Sequence, residues 1–256
     1  MTDQLQRWRG RTALITGASA GIGAATARLL APLGMRLVLA ARRADRLEAL
    51  REELLAAHGP AGCQVGILGA DLSRTEDIER MFQVVRQDWG GVDVLINNAG
   101  GGHSSGLVEA GEADLQRMLD VNIRAVTWCM REAMRDMEGR EHAAIINISS
   151  LAGHRLPSGS TNNSFYAATK HALRGLSEGV RMELVAKKSP IKLGIISPGL
   201  VVTEFHQAAD PRGKGMEYPF QPLVAEDVAG AVLYMLSTPP HVQISDILLR
   251  SVYQPF

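Results

Sequence analysis

The 256-residue chain predicts an α/β fold: a single doubly wound domain in which one parallel sheet of seven strands lies between two layers of helices. Three observations point there. Seven short apolar runs alternate with longer helical stretches; most of those runs are continuously apolar rather than alternating; and the first breaks directly into a glycine-rich turn and a helix. A strand that is apolar on both faces must be covered on both, and right-handed helical crossovers between parallel strands supply that cover.

The first strand spans 12–15, followed by a turn carrying Gly17, Gly21 and Gly23 and an apolar helix over 24–33. A second strand at 36–41 leads into a charged, Leu-spaced helix over 44–57 that stops at His58-Gly59-Pro60, where glycine and proline break the pattern. The third strand, 64–68, precedes a helix over 73–89 with Ser73 as its expected N-cap, and the fourth, 92–96, runs into Asn97-Asn98-Ala99-Gly100. One long helix is expected over 112–137, then a fifth strand at 144–148, a helix over 165–185, a sixth strand at 191–196, a helix over 225–236 and a last strand at 247–249. The irregular stretches are 101–106, 155–164 and 203–222. Each follows a strand, and ligands of an open parallel sheet lie beyond the carboxyl ends of its strands, so these stretches are the expected substrate site, with 203–222 as its loop.

Composition narrows the function classes. Lys+Arg and Asp+Glu are both 27, so no basic excess points to nucleic acid or an anionic membrane. Cys63 and Cys129 lack metal or redox spacing, and the chain is too large for two cysteines to be its scaffold. No run of about 18 apolar residues occurs and no apolar leader precedes the first strand, so a single-domain cytoplasmic protein with a small-molecule substrate is expected, without nucleic-acid or membrane partners.

The turn over 17–23 is spaced GxxxGxG. Glycines let a pyrophosphate approach the backbone, and the helix N-terminus behind them offers unpaired N–H groups and a positive dipole end; the plainer reading is an ordinary tight turn. An acidic residue about 20 positions on would hold the ribose hydroxyls of NAD, but this chain has Ala40-Ala41-Arg42-Arg43. A guanidinium fork matches a phosphate, so Arg42 and Arg43 favour the 2′-phosphate of NADP(H), a contact of roughly 1.5 to 3 kcal/mol. Asp71, with Leu72 beside it, is placed either to accept from the adenine amino group or to cap the helix ahead of Ser73.

Tyr166 and Lys170 are four apart in a helical stretch and so project from one face, downstream of a serine at a strand end, Ser150, and an asparagine in the long helix, Asn122. A phenol of pKa about 10 is a poor base at neutral pH, and a neighbouring ammonium is expected to lower it. Thr16 to Gly23 (TGASAGIG), Asn97 to Gly100 (NNAG), Asn122, Ser150, Tyr166 to Lys170 (YAATK) and Pro198-Gly199 together resemble the short-chain dehydrogenase/reductase family over essentially the whole chain. The resemblance implies a Rossmann domain with strand order 3-2-1-4-5-6-7. It implies Tyr166 as general acid/base, Lys170 as the residue that lowers its pKa and holds the nicotinamide ribose, Ser150 on the substrate oxygen and Asn122 keeping a relay water. Ser150 rather than Ser149 fits the family's NISSxAG pattern, while the Ser150-to-Tyr166 spacing is three residues longer than the family's usual thirteen.

The same resemblance puts Ser19, Ala20 and Ile22 around the phosphates, Asn98, Ala99 and Gly100 along the cofactor, Ile148 beneath it, and Pro198, Gly199, Val201 and Thr203 along the nicotinamide and phosphates. The tail LSTPPHVQISDILLR, the Glu226-Asp227-Val228-Ala229 helix start and Gly153-His154-Arg155 resemble the NADPH-dependent farnesol and steroid-ketone reductase group; the tail is also similar to 3-hydroxy acid dehydrogenases that oxidise serine.

Phe165, Leu151, Leu156, Leu200, Phe205, Met216 and Phe220 would line the pocket and favour a hydrophobic carbonyl compound, while Arg155 could clamp a carboxylate. His103 and His154 lack a second ligand at metal spacing, so no metal is expected. The expected activity is NADPH-dependent reduction of a ketone or aldehyde. The alternatives are a 3-hydroxy acid dehydrogenase and a non-catalytic NADP-binding scaffold. Family members commonly assemble, so a homodimer or homotetramer is expected; Val126, Trp128 and Leu173 could serve an interface or the core.

Overall fold

The apolar runs all become strands of one sheet: β1 Thr12–Thr16, β2 Arg36–Ala41, β3 Gln64–Gly69, β4 Val94–Asn97, β5 Ala144–Ile148, β6 Lys192–Pro198 and β7 Asp246–Leu249. The computed structural model describes residues 3–102, 106–156, 163–204 and 219–255. Every neighbouring pair is parallel and the order is β3-β2-β1-β4-β5-β6-β7. Residues of β1, β4 and β5 are buried throughout, whereas the edge strands β3 and β7 are partly open. That is why the central runs carry no polar alternation.

Eight helices accompany them among the described residues: α1 Asp3–Gln6, α2 Gly21–Leu30, α3 Ala44–His58, α4 Thr75–Trp89, α5 Glu112–Leu119, α6 Val126–Asp136, α7 Ser164–Ala186 and α8 Ala225–Ser237. Alternation along the strands divides the core in two. Ala13 and Ile15 of β1 pack with Leu30 of α2, Leu47 of α3 and Val232 of α8, while Leu14 between them packs on the opposite face with Phe82 of α4, Met130 of α6 and Leu173 of α7.

Several sequence expectations are corrected. The helix after β1 begins at Gly21, not 24, and tightens into a 3₁₀ turn at Ala31–Leu33, because Pro32 is tolerated at the start of a turn but not inside an α-helix. The short α1 was not foreseen; Leu5 and Trp8 are buried, and the Trp8 Nε1–H donates to the Leu236 carbonyl at 2.9 Å. Ser73 does not cap α4, which starts at Thr75; its hydroxyl and N–H both donate to Asp71 Oδ1, closing a turn before the helix. The expected single helix over 112–137 is α5 and α6 joined by a π-helical turn, Asp120–Ala125, which contains Asn122. Val126 and Leu173 are core residues, whereas Trp128 is half-buried.

β1 and β4 are neighbours although β2 and β3 lie between them in sequence. The helical layers change sides at that point and leave a crevice outside the carboxyl ends of the strands. The turns after β1, β4, β5 and β6 all open onto it.

Candidate active site

The crevice begins with the glycine turn. Gly17 and Gly21 have φ of +66° and +53°, a left-handed backbone that glycine adopts without penalty. A Cβ on Gly17 would lie 2.9 Å from the Ala99 Cα, and one on Gly23 would lie 2.6 Å from Asn98 Nδ2 and the Gly17 carbonyl oxygen. The turn is therefore packed against the β4 loop. Asn98 Nδ2 donates to the Thr16 and Gly17 carbonyls at 2.9 and 3.2 Å, and Thr16 Oγ1 accepts from the Asn98 and Ala99 N–H groups at 3.0 and 3.1 Å. Thr16 opens the TGASAGIG motif in the sequence, but its brace to the β4 loop is not visible there.

The open side of Gly21 faces Thr203, whose Cγ2 would be 3.1 Å from an added Cβ, so the loop after β6 crosses the mouth of the glycine turn. The N-terminal residue of α2 thus sits in a glycine-lined cradle bordered by the Thr203 side chain, a shape that suits a pyrophosphate. Ser19, Ala20 and Ile22 are half-buried around it.

Arg42 and Arg43 follow β2 and are exposed. Arg43 donates from Nε and Nη2 to Ser19 Oγ at 3.1 and 2.9 Å, bringing a guanidinium onto the glycine turn. Glu204 bridges it, at 2.7 Å, to Arg46, two residues that spacing alone did not single out. Both guanidiniums hold the Glu204 carboxyl below its usual range through direct hydrogen bonds. Asp71 is half-buried at the end of β3 and is held below the ordinary carboxyl range by hydrogen bonds from Ser73 and the charges of Arg42 and Arg117, which outweigh its burial. Leu72 is buried beside it.

At the centre of the carboxyl edge, Ser150 ends β5 and caps a 3₁₀ turn, Leu151–Gly153, its Oγ accepting the Ala152 N–H at 3.1 Å. The same hydroxyl hydrogen-bonds the Tyr166 phenol. Ser149 is instead buried, and among the described residues its hydroxyl has no partner. Lys170, one helical turn beyond Tyr166 on α7, is 5% exposed; its Nζ donates to the Ile148 carbonyl at 3.1 Å and stands 5.7 Å from the Tyr166 ring centroid.

Asn122 is buried opposite. Its Oδ1 accepts the Gly101 N–H at 2.8 Å, and its Nδ2 donates to the Gly101 carbonyl at 2.9 Å and to Thr169 Oγ1 at 3.0 Å. Thr169, not singled out in the sequence, passes the connection on to the Tyr166 carbonyl at 2.7 Å. A side chain at Gly100 would stand 3.5 Å from Asn122 Oδ1 and 3.7 Å from Lys170 Nζ. Four segments distant in sequence therefore meet within one small volume.

Burial decides the ionisation of this cluster. It pushes the Tyr166 phenol up to about 12 against the pull of the Ser150 hydrogen bond, and brings the Lys170 ammonium down to about 8. Burial is the leading influence on the phenol in the free protein. Lys170 is buried and Tyr166 half-buried, and the lysine spends its bond on Ile148 rather than on the phenol. At neutral pH Tyr166 holds its proton.

Pro198 and Val201 are buried behind the crevice, Gly199 is half-buried with its N–H donating to the Leu249 carbonyl at 2.7 Å, and Val201 bridges to Leu223. Among the apolar wall residues Leu151 is buried and Phe165, Leu200 and Phe220 are half-buried, but Leu156 and Arg155 are exposed, so neither packs into a wall here. Phe205, Met216 and His103 lie outside the described residues, as does most of the 203–222 loop. His154 is paired with Ser197 and Asp246, and among the described residues no group of metal-ligating side chains occurs. Both cysteines are free and buried, and burial pushes the Cys129 thiol up to about 12. Among the described residues no helix is long and apolar enough to cross a membrane.

The short chain dehydrogenase family model matches residues 11–213. The chain is 43% identical to dehydrogenase/reductase SDR family member 11 of Bos taurus over 98% of this chain and 99% of that one. It is 37% identical to the farnesol dehydrogenase of Aedes aegypti over 98% of this chain and 100% of that one. Among solved structures, the Thermococcus sibiricus alcohol dehydrogenase complexed with 5-hydroxy-NADP superposes with a TM-score of 0.83 at 31% identity, covering 95% of this chain and 97% of that one. A closed serine dehydrogenase complexed with NADP+ superposes with a TM-score of 0.84 at 29% identity, covering 96% of each.

Proposed function

The chain belongs to the short-chain dehydrogenase family of oxidoreductases, and from that premise we propose that it reduces a hydrophobic ketone or aldehyde to the alcohol with NADPH. The observation that carries the reading is the hydrogen bond between Ser150 and Tyr166 beside the buried Lys170, on the same strand edge as a glycine-lined cradle with Arg43 at its rim. NADPH in that cradle would supply a hydride from nicotinamide C4.

The residues of the chain do the rest. Ser150 Oγ and the phenol of Tyr166 converge where a carbonyl oxygen would be held, and Tyr166, protonated at neutral pH, donates the proton as the carbon accepts the hydride. Lys170 has two hydrogens beyond its bond to Ile148 with which to hold ribose hydroxyls, and its charge favours the phenolate left behind. Asn122 fixes the β4 loop to α7 through Gly101 and Thr169. With both Nδ2 hydrogens engaged, a relay water would take the second Oδ1 lone pair or the main-chain carbonyl. Arg42 and Arg43 would take the 2′-phosphate, Asp71 and Leu72 the adenine, and Ser19, Ala20, Ile22, Ala99, Pro198, Val201 and Thr203 the backbone of the cofactor. The likeness to relatives named for SDR family member 11 and farnesol dehydrogenase supports an apolar substrate, as do Leu151, Phe165, Leu200 and Phe220.

A hydroxy-acid dehydrogenase remains the competing reading, favoured by the likeness to serine dehydrogenase and by the exposed Arg155, which could meet a carboxylate. Initial rates decide. A decalone or steroidal ketone with NADPH is expected to turn over, with NADH at least tenfold less efficient, whereas serine or 3-hydroxypropionate turning over faster with NADP+ would overturn the reduction reading. We read the assembly as a cytoplasmic homodimer or homotetramer, which the half-buried Trp128 on α6 supports.

A further inference from the structure

The Gly153-His154-Arg155 run and the Asp246 that opens β7 take no part in the chemistry above, yet they meet behind it. His154 Nε2 lies 3.0 Å from Ser197 Oγ on β6 and 3.0 Å from Asp246 Oδ2. Ser197 Oγ donates to Asp246 Oδ1 at 2.9 Å. From α7, Arg174 donates its Nε to Asp246 Oδ2 at 3.3 Å and its Nη1 to the Gly153 carbonyl at 3.1 Å.

These four polar groups come from four elements. Ser197 is fully buried, and its hydroxyl proton is committed to Asp246, so the imidazole must donate from Nε2 and carry any further proton on Nδ1. That arrangement excludes a nucleophilic triad, in which the serine would instead give its proton to the histidine. Burial, ahead of the repulsion from Arg174 and His171 and against the attraction of Asp246, holds His154 below its ordinary range. The imidazole is therefore a fixed neutral donor, and the carboxylate answers to Arg174.

Ser150 and Tyr166 belong to different elements with 15 residues between them, so local chain geometry does not set their separation. The cluster can. Arg174 stands one helical turn beyond Lys170 and two beyond Tyr166, and it grips the last residue of the 3₁₀ turn that Ser150 opens. At that residue the turn already touches α7: a Cβ on Gly153 would lie 2.9 Å from the Lys170 carbonyl oxygen. We propose that His154, Asp246 and Arg174 are positioning residues that clamp the Ser150 turn to the Tyr166–Lys170 helix and so hold the Ser150–Tyr166 hydrogen bond in register. The inference rests on the carbonyl-reductase reading for its catalytic consequence but not for the clamp itself.

The test uses the full chain carrying His154→Leu, His154→Gln or Arg174→Met, each also combined with Ser150→Ala. Turnover is measured with NADPH and a decalone, and amide hydrogen exchange is followed over residues 149–156. In His154→Leu, kcat is expected to fall ten- to thirtyfold with NADPH affinity within twofold of wild type, and the turn to exchange at least tenfold faster. His154→Gln, which retains a donor at the Nε2 position, restores most of both. Arg174 is partly exposed, so Arg174→Met is expected to fold, with kcat falling three- to tenfold. Since the clamp acts through Ser150, neither variant should lower the Ser150→Ala rate further. A loss that multiplies with Ser150→Ala, or unchanged exchange in both His154→Leu and Arg174→Met, overturns the proposal. Absence of wild-type turnover on any carbonyl counts against the reductase reading alone, and the exchange data still decide the clamp.

Discussion

The burial of Lys170 and the packing around Tyr166 set the ionisation of both groups before any ligand enters. Lys170 titrates near 8 rather than 10.5, so it is an ammonium below that pH and an amine above it. The ammonium form is the one that can hold ribose and balance a phenolate, so kcat/KM for carbonyl reduction is expected to fall as pH rises through about 8. In Lys170→Arg, whose guanidinium keeps its proton, any remaining activity should show no such decline below pH 10. A wild-type rate profile flat to pH 10 would contradict this. The phenol, held near 12, is an acid armed at neutral pH, and Tyr166→Phe should lower kcat by about two to four orders of magnitude. NADPH affinity, read by fluorescence titration, should stay within threefold. A Phe variant that reduces carbonyls at the wild-type rate would favour the scaffold reading or require another acid.

At the scale of elements, the turn between β1 and α2 joins two requirements, close approach to the β4 loop and an unobstructed helix start. Gly23→Ala places a methyl group 2.6 Å from Asn98 Nδ2 and the Gly17 carbonyl, so the turn must open. NADPH affinity should weaken by at least tenfold, with a stability loss of about 1 to 3 kcal/mol by urea denaturation. If both are unchanged, the turn tolerates what the contact distance forbids. At the neighbouring end of β2, removing the guanidinium in Arg43→Ala should shrink the ratio of NADPH to NADH efficiency by about one to two orders of magnitude, given roughly 1.5 to 3 kcal/mol for such a contact. An unchanged ratio would move the 2′-phosphate to Arg42 or Arg46. The π-helical turn at Asp120–Ala125 belongs to this scale too: the extra residue per turn places Asn122 against Gly101 and Thr169, and a hydrophobic pattern counted at 3.6 residues does not reveal it.

Over the whole molecule, α4 and α6 are held to one another by buried carboxylates as well as by the core. Glu132 and Asp136, with side chains 6% and 4% exposed, both accept from Arg86, at 2.7 and 2.5 Å. Among the described residues, Arg86→Ala leaves the Asp136 side chain only the Val92 N–H at 3.1 Å and leaves Glu132 to the arginines of its own helix. It should cost about 2 to 4 kcal/mol in urea denaturation, because the carboxylates remain buried after their shared partner is gone. A loss under 0.5 kcal/mol would show that water reaches them. Strand number and sequence, the parallel sheet, the glycine turn and the identities of Asn122, Ser150, Tyr166 and Lys170 were all legible in the chain. The strands, the parallel sheet and the turn depend on patterns a few residues long, apolar periodicity and missing side chains, while the strand order and the choice of those four residues came from the family resemblance. What folding alone decided has longer reach. The burial that raises the phenol and lowers the ammonium, the bridge from Glu204 to Arg43 and Arg46, the brace from Thr16 to Asn98 and the meeting of His154, Ser197, Asp246 and Arg174 each join residues from separate strands, turns or helices. Spacing along a chain carries no information about such distances, because they are fixed by how the layers pack on the sheet and how much water that packing expels.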